Sequence, residues 1–196
     1  MSRHRSSLPP AYFEDLYTSD PDPWRFTTSD YERAKYAATL AALPRARYAA
    51  GLEVGCSIGV LTQDLAGRCD SLLAVDAAET ALAQARHRCA PMPNVQFAEL
   101  QMPRQWPSGT FDLMLLSEVV YYLVPSDIAL LVHRIGRSLL PDAHVVLVHW
   151  TGETDYPVSG DEAAQIFIRE AAGFLRLRDH ARTAHYRLDV LESKRQ

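Results

Sequence analysis

No segment of this 196-residue chain approaches the roughly 20 consecutive apolar residues that cross a bilayer, and the opening Met-Ser-Arg-His-Arg-Ser-Ser has no apolar run behind it. The expectation is a soluble cytoplasmic protein without a membrane partner. Cysteine is scarce: Cys56, Cys69 and Cys89 are odd in number, far apart, and lack the paired spacings of zinc sites and disulfide frameworks. They read as reduced thiols. No block of like charge is present either. Twenty Lys and Arg are scattered among 24 Asp and Glu for a net charge of −4, so the footprint of a nucleic-acid binder is missing. The basic ends, Arg3 to Arg5 and Lys194 to Arg195, read as solvated tails. His144 and His149 lie five apart on one expected strand, hence on opposite faces, and no His and carboxylate cluster accompanies them, so no metal site is expected. Internal repeats and long linkers are absent, and at 47% apolar residues the chain suits one globular unit.

What is present, first, is a turn. In Leu52-Glu53-Val54-Gly55-Cys56-Ser57-Ile58-Gly59 a short apolar run stops at two glycines spaced four apart, and a helical pattern starts at once. From there the alternation is regular. Strands are predicted at Leu52–Val54, Leu72–Val75, Val95–Glu99, Phe111–Leu116 and Val145–Trp150, with helices at Val60–Gly67, Ala78–Arg88 and Ser126–Leu140. Continuous apolar strands joined through helices imply a parallel sheet covered on both faces. A further helix at Asp161–Ala172 precedes strands at Phe174–Arg178 and Arg187–Leu191, whose short connection excludes a parallel crossover. The expected fold is an α/β three-layer sandwich with a seven-stranded, mostly parallel sheet and one antiparallel strand in a C-terminal hairpin.

The first fifty residues follow another pattern. Tyr12, Phe13, Tyr17, Trp24, Phe26, Tyr31 and Tyr36 hold a large share of the aromatics; Asp20-Pro21-Asp22-Pro23 breaks the chain, and Ser29 or Asp30 can cap a helix from Tyr31 to Leu43 that ends before Pro44. These rings either pin an arm to the core or form a lid with Trp24, Tyr31 and Arg33 facing a ligand. The expected organisation is a helical arm or lid over residues 1–45 and a cofactor-binding domain over residues 46–196.

Three chemistries compete for the glycine turn. A dinucleotide loop would need glycines where Ser57 and Val60 stand, no P-loop lysine follows, and Glu53 would repel a diphosphate. A nucleophile elbow is matched letter for letter by Gly55-x-Ser57-x-Gly59, yet the turn follows the first strand of the sheet, where no earlier loop can complete an oxyanion hole. The third reading uses the acids. Glu53 within the first strand and Asp76 at the end of the second suit a ligand with a ribose, an ammonium group and a positive sulfur but no phosphate, namely S-adenosylmethionine.

Over residues 51–150 the chain resembles the seven-strand S-adenosylmethionine-dependent methyltransferases, on Glu53-x-Gly55-x-x-x-Gly59, Asp76, Phe111-Asp112-Leu113 and Leu139-Leu140-Pro141. A second resemblance is to the nodulation N-methyltransferase family, on Asp22-Pro23-Trp24-Arg25-Phe26, Tyr31-Glu32-Arg33 and Ser117-Glu118-Val119-Val120-Tyr121-Tyr122-Leu123. It implies N-methylation of an amino group on a small acceptor, such as an amino sugar, with S-adenosylhomocysteine as product. Ser57 replaces a glycine common in the class, Gln101 replaces the usual adenine-binding acid, and Pro141-Asp142-Ala143 replaces a Pro-Gly-Gly turn. The candidate cofactor contacts are Trp24, Arg33, Glu53, Gly55, Cys56, Gly59, Asp76, Ala77, Gln101, Met102 and Ser117. Glu118, Tyr122 and His149, at the carboxyl ends of the fourth and fifth strands, are the candidate catalytic groups. The alternatives are O-methyl transfer, cofactor binding without turnover, and a serine hydrolase using Ser57.

Overall fold

The computed structural model describes residues 3–194. Seven strands form one sheet: β1 (Tyr48–Val54), β2 (Cys69–Asp76), β3 (Val95–Glu99), β4 (Phe111–Ser117), β5 (Leu139–Trp150), β6 (Leu175–Arg182) and β7 (Tyr186–Ser193). Their spatial order is β3-β2-β1-β4-β5-β7-β6. Pairing is parallel from β3 through β5, and β7 runs antiparallel to both β5 and β6. The single reversed strand is therefore β7, as the short final connection required.

Alternation along the strands divides the core. Leu52, Val54, Met114, Leu116, Val145 and Leu147 face α5 (Pro125–Gly136) and α6 (Gly160–Ala171). Leu72, Leu113, Leu115, Val146 and Val148 face the other way, onto Tyr36 of α2 (Asp30–Ala41) and Leu61 and Leu65 of α3 (Val60–Leu65). Ala74 of β2 packs on Leu82 of α4 (Glu79–Arg88). Both faces of the central strands are dry, which is why their sequences are unbroken apolar runs. Among the described residues no helix is long and apolar enough to cross a membrane.

Four sequence expectations need correction. The amphipathic helix expected to reach Leu140 ends at Gly136, and Leu139–Leu140 instead open β5, where Leu139 pairs with Phe111 before a register shift. An unforeseen helix, α1 (Pro10–Ser19), starts with proline at its first turn, a position that needs no backbone N–H partner. It packs Tyr17 and Phe13 against Ile58, Ala78 and Ala81, and Glu14 accepts from Thr80 N at the start of α4. Finally, the N-terminal basic stretch is not a free tail. Arg3 pairs with Glu162, His4 N donates to Asp155 O at 2.8 Å and Leu8 N to Tyr122 O at 2.9 Å, which straps the segment across the sheet's carboxyl end. Lys194 Nζ likewise donates to Ala172 O at 2.5 Å, while Arg195 lies outside the described residues.

Candidate functional site

The chain breaks out of β1 through left-handed backbone: φ is 76° at Gly55, 52° at Ser57 and 79° at Gly59. A Cβ on Gly55 would sit 3.0 Å from Val119 Cγ2, and one on Gly59 2.9 Å from Ala85 Cα. The two glycines therefore serve different purposes. Gly55 admits the turn itself, and Gly59 lets the start of α3 lie against α4. The turn is tied to β2, since Gly55 N and Cys56 N both donate to Val75 O, at 2.8 and 3.0 Å. Ser57 N donates to Asp76 Oδ2 at 2.8 Å, and Ala78 N to Asp76 Oδ1 at 3.0 Å.

Above this turn, at the carboxyl ends of β1, β2, β4 and β5, is a cavity of about 430 Å³. Its β2 side carries Glu53, Gly55, Cys56, Asp76, Ala77, Gln101 and Met102. Glu53 is 2% exposed and its Oε2 makes no hydrogen bond to a described residue. Burial pushes its carboxyl up to about 8, the Thr62 hydroxyl opposing and the Asp76 charge adding to the shift. Burial also raises Asp76, against the backbone N–H groups of Ser57 and Ala78 that favour its charged form. A buried carboxylate with an idle oxygen calls for a cationic donor. Asp76 keeps acceptor capacity beyond the two N–H groups it holds.

The β4 and β5 side is different in kind. Glu118 has φ 57° and donates its N–H to Val148 O at 2.8 Å, which turns the carboxylate back over the sheet end. Oε1 accepts from Lys35 Nζ at 2.6 Å, and Oε2 from Tyr121 OH at 2.7 Å and Trp150 N at 2.8 Å. Both Glu118 oxygens already accept hydrogen bonds from the protein. Lys35, 2% exposed, also donates to Glu32 Oε1 at 3.1 Å, and it is the one cation among the described lining residues. Tyr121 and Tyr156 stack with centroids 5.1 Å apart, and Tyr122 meets Tyr156 edge-on at 4.7 Å. Burial raises both Tyr121 and Tyr122 well above the usual phenol range, so neither is set up as a proton acceptor.

Eleven of the fourteen residues singled out from sequence line this one cavity; Arg33, Gly59 and His149 do not. Arg33 is exposed and pairs with Asp30 on the outer face of α2, because Glu32, Lys35, Tyr36 and Thr39 at helical spacing form the inner face. His149 is wholly buried beneath the site. Its Nε2 accepts from Val120 N at 3.2 Å, and burial pushes its pKa down to about 4, so it braces the turn after Glu118 and does not reach an acceptor. Ser57 bonds through its hydroxyl to Tyr17, and no histidine lines the cavity among the described residues, which leaves a hydrolytic serine without a base.

Sequence reasoning named none of Tyr17, Glu32, Lys35, Tyr36 and Tyr156 individually as site residues, and all five line the cavity. The signal was present for α2, since Glu32, Lys35, Tyr36 and Thr39 repeat at i, i+3, i+4 and i+7. Charged side chains are seldom buried, so that spacing alone does not mark the inner face.

The sequence model of the family described as Nodulation protein S (NodS) matches residues 13–147. Nodulation protein S of Rhizobium tropici is 33% identical over 129 residues, covering 64% of this chain and 53% of that protein. The chain thus matches about half the length of such relatives. Among solved structures, N-methyltransferase NodS from Bradyrhizobium japonicum WM9, in complex with S-adenosyl-L-homocysteine, has a TM-score of 0.83 at 20% identity, over 96% of this chain and 100% of that one. A structure from Pseudomonas syringae has a TM-score of 0.72 at 36% identity, over 83% of this chain and 98% of that one.

Proposed function

This chain belongs to the Nodulation protein S (NodS) family, and on that premise we propose that it transfers a methyl group from S-adenosylmethionine to the amino group of a small acceptor of the amino-sugar class. One observation carries the cofactor assignment: the buried Glu53 Oε2 without a hydrogen bond, set beside Asp76 across the Gly55 turn. These residues fit a ligand with an ammonium group and vicinal hydroxyls and no phosphate. Glu53 receives the ammonium, Asp76 accepts from the ribose hydroxyls, and the Gln101 side-chain carbonyl accepts from the adenine amino group. Trp24, Ala77 and Met102 supply apolar walls.

When bound, S-adenosylmethionine supplies a methyl group already activated by a positive sulfur. The protein's work is then alignment and exclusion of water. In the order β2-β1-β4-β5, the Asp76 and Trp150 strand ends are three spacings apart, about 14 Å, which separates the two ends of the ligand pair. Tyr17, Trp24 and Tyr31 of the N-terminal arm line the cavity, which supports reading that arm as a lid over the cofactor-binding domain. Calorimetric titration with S-adenosylmethionine and S-adenosylhomocysteine tests the reading: micromolar or tighter binding of both is expected, and no binding of either would reject it.

A further inference from the structure

The inner face of α2 brings a second constellation into the cavity, away from the glycine turn. Glu32 is 8% exposed; its Oε1 accepts from Lys35, while its Oε2 makes no hydrogen bond but is ion-paired with Lys35 Nζ at 3.0 Å, and the Tyr36 hydroxyl also bears on the carboxylate. Lys35 spans from Glu32 to Glu118, so two carboxylates share one cation and the group carries one surplus negative charge when both are ionised. Beside them the Tyr31 hydroxyl is buried and has no hydrogen-bond partner, with Lys35 Nζ 5.3 Å from the Tyr31 ring centre. Both oxygens without a hydrogen bond belong to residues that line the cavity, where Lys35 reaches Glu118 and Tyr31 meets Trp150. Glu118 has no idle oxygen to offer. Two buried acceptors and a surplus negative charge are the complement of one cationic N–H donor.

We propose that Glu32 and Tyr31 form the receiving site for the acceptor's protonated amine, with Glu32 Oε2 taking the proton that must leave nitrogen before methyl transfer, and with Lys35 as the positioning residue that holds Glu32 and Glu118 in register. This rests on the methyl-transfer reading above and assigns the acceptor half of the same cavity. An N–H bond of the ammonium breaks and its proton passes to Glu32, leaving the lone pair on nitrogen. That lone pair forms the N–C bond as the methyl–sulfur bond breaks with its electron pair going to sulfur. The methylated ammonium departs, and Glu32 returns its proton to water. Burial raises Glu32 above the usual carboxylate range, Lys35 opposing, which brings a carboxyl base nearer to neutral pH. The charged and titratable groups around it are Lys35, Tyr31 and Tyr36 on α2 and Glu118 on the facing turn.

The test compares wild type with Glu32→Gln on glucosamine oligomers at pH 7 and pH 9.5, with S-adenosylhomocysteine affinity measured on each. The expected result is unchanged S-adenosylhomocysteine affinity, kcat/KM lowered about tenfold or more at pH 7, and a deficit within about threefold at pH 9.5, where the amine is neutral without help. No deficit, a deficit equal at both pH values, or parallel loss of S-adenosylhomocysteine binding overturns the assignment. Tyr31→Phe decides the matter if Glu32→Gln does not fold. It removes a hydroxyl that bonds to nothing in the protein, so a purely structural residue predicts no change, whereas the assignment predicts a several-fold higher KM for the amine. A wild type that binds S-adenosylhomocysteine but methylates no amine rejects the methyl-transfer reading itself, and the assignment with it.

Discussion

Ser57 donates its backbone N–H to Asp76 Oδ2 at 2.8 Å, so the acid at the end of β2 braces the turn at the end of β1. The same carboxylate is proposed to take the ribose hydroxyls, which couples loop geometry to ligand affinity. Asp76→Ala strands the Ser57 and Ala78 N–H groups, each costing about 1–3 kcal/mol if left unsatisfied. We expect a lower melting temperature and at least tenfold weaker S-adenosylhomocysteine binding, with Asp76→Asn intermediate. Unchanged affinity by calorimetry would show that another acid holds the ribose.

Glu53 ties ligand binding to pH. Its folded-state pKa of about 8 lies above its ordinary 4.5, so between those values the folded protein holds a proton that the unfolded chain has released. Stability without ligand therefore falls as pH rises through that window. A bound ammonium favours the carboxylate, so S-adenosylmethionine binding near pH 7 should release protons. Calorimetry in buffers of differing ionisation enthalpy reads this directly, and Glu53→Gln should abolish the buffer dependence.

Gly55→Ala meets two obstacles at once: φ of 76° and a Cβ placed 3.0 Å from Val119 Cγ2. The expected cost is about 1–3 kcal/mol in denaturant unfolding, with weaker cofactor binding as the turn moves. Gly67→Ala, where nothing lies within 4 Å, serves as the comparison and should be close to neutral.

The fold could be read largely from sequence because buried parallel strands are uninterrupted apolar runs and connection length fixes strand direction. β7 was placed as the reversed strand on that ground. The cofactor half of the site was equally legible, since a tight turn leaves glycines at fixed spacing and a strand end leaves an acid, as at Gly55 and Asp76. The acceptor half was not. Glu32 and Lys35 share helical spacing with Tyr36 and Thr39, but charged side chains at such spacing usually face solvent, and only the packing of α2 over the sheet shows them buried as a pair. His149 misled for the opposite reason: an ionisable residue at a strand end is a reasonable catalytic candidate until its ring is found bonded to Val120 N.

That bond yields a further expectation. His149→Phe removes the acceptor for a buried N–H and should destabilise the protein by about 1–3 kcal/mol. It should leave the shape of the pH–rate profile unchanged, because a group with pKa near 4 and no access to the cavity does not carry the proton. Loss of the acidic limb in the variant's profile, the limb a protonated base produces, would restore His149 to the chemistry.

The most direct test of the account is to incubate the protein with S-adenosylmethionine and glucosamine oligomers and follow both products by mass spectrometry. The account predicts oligomers heavier by one methyl on nitrogen, formed in step with S-adenosylhomocysteine. S-adenosylmethionine that binds yet stays intact with these oligomers and with a panel of other amines would contradict it.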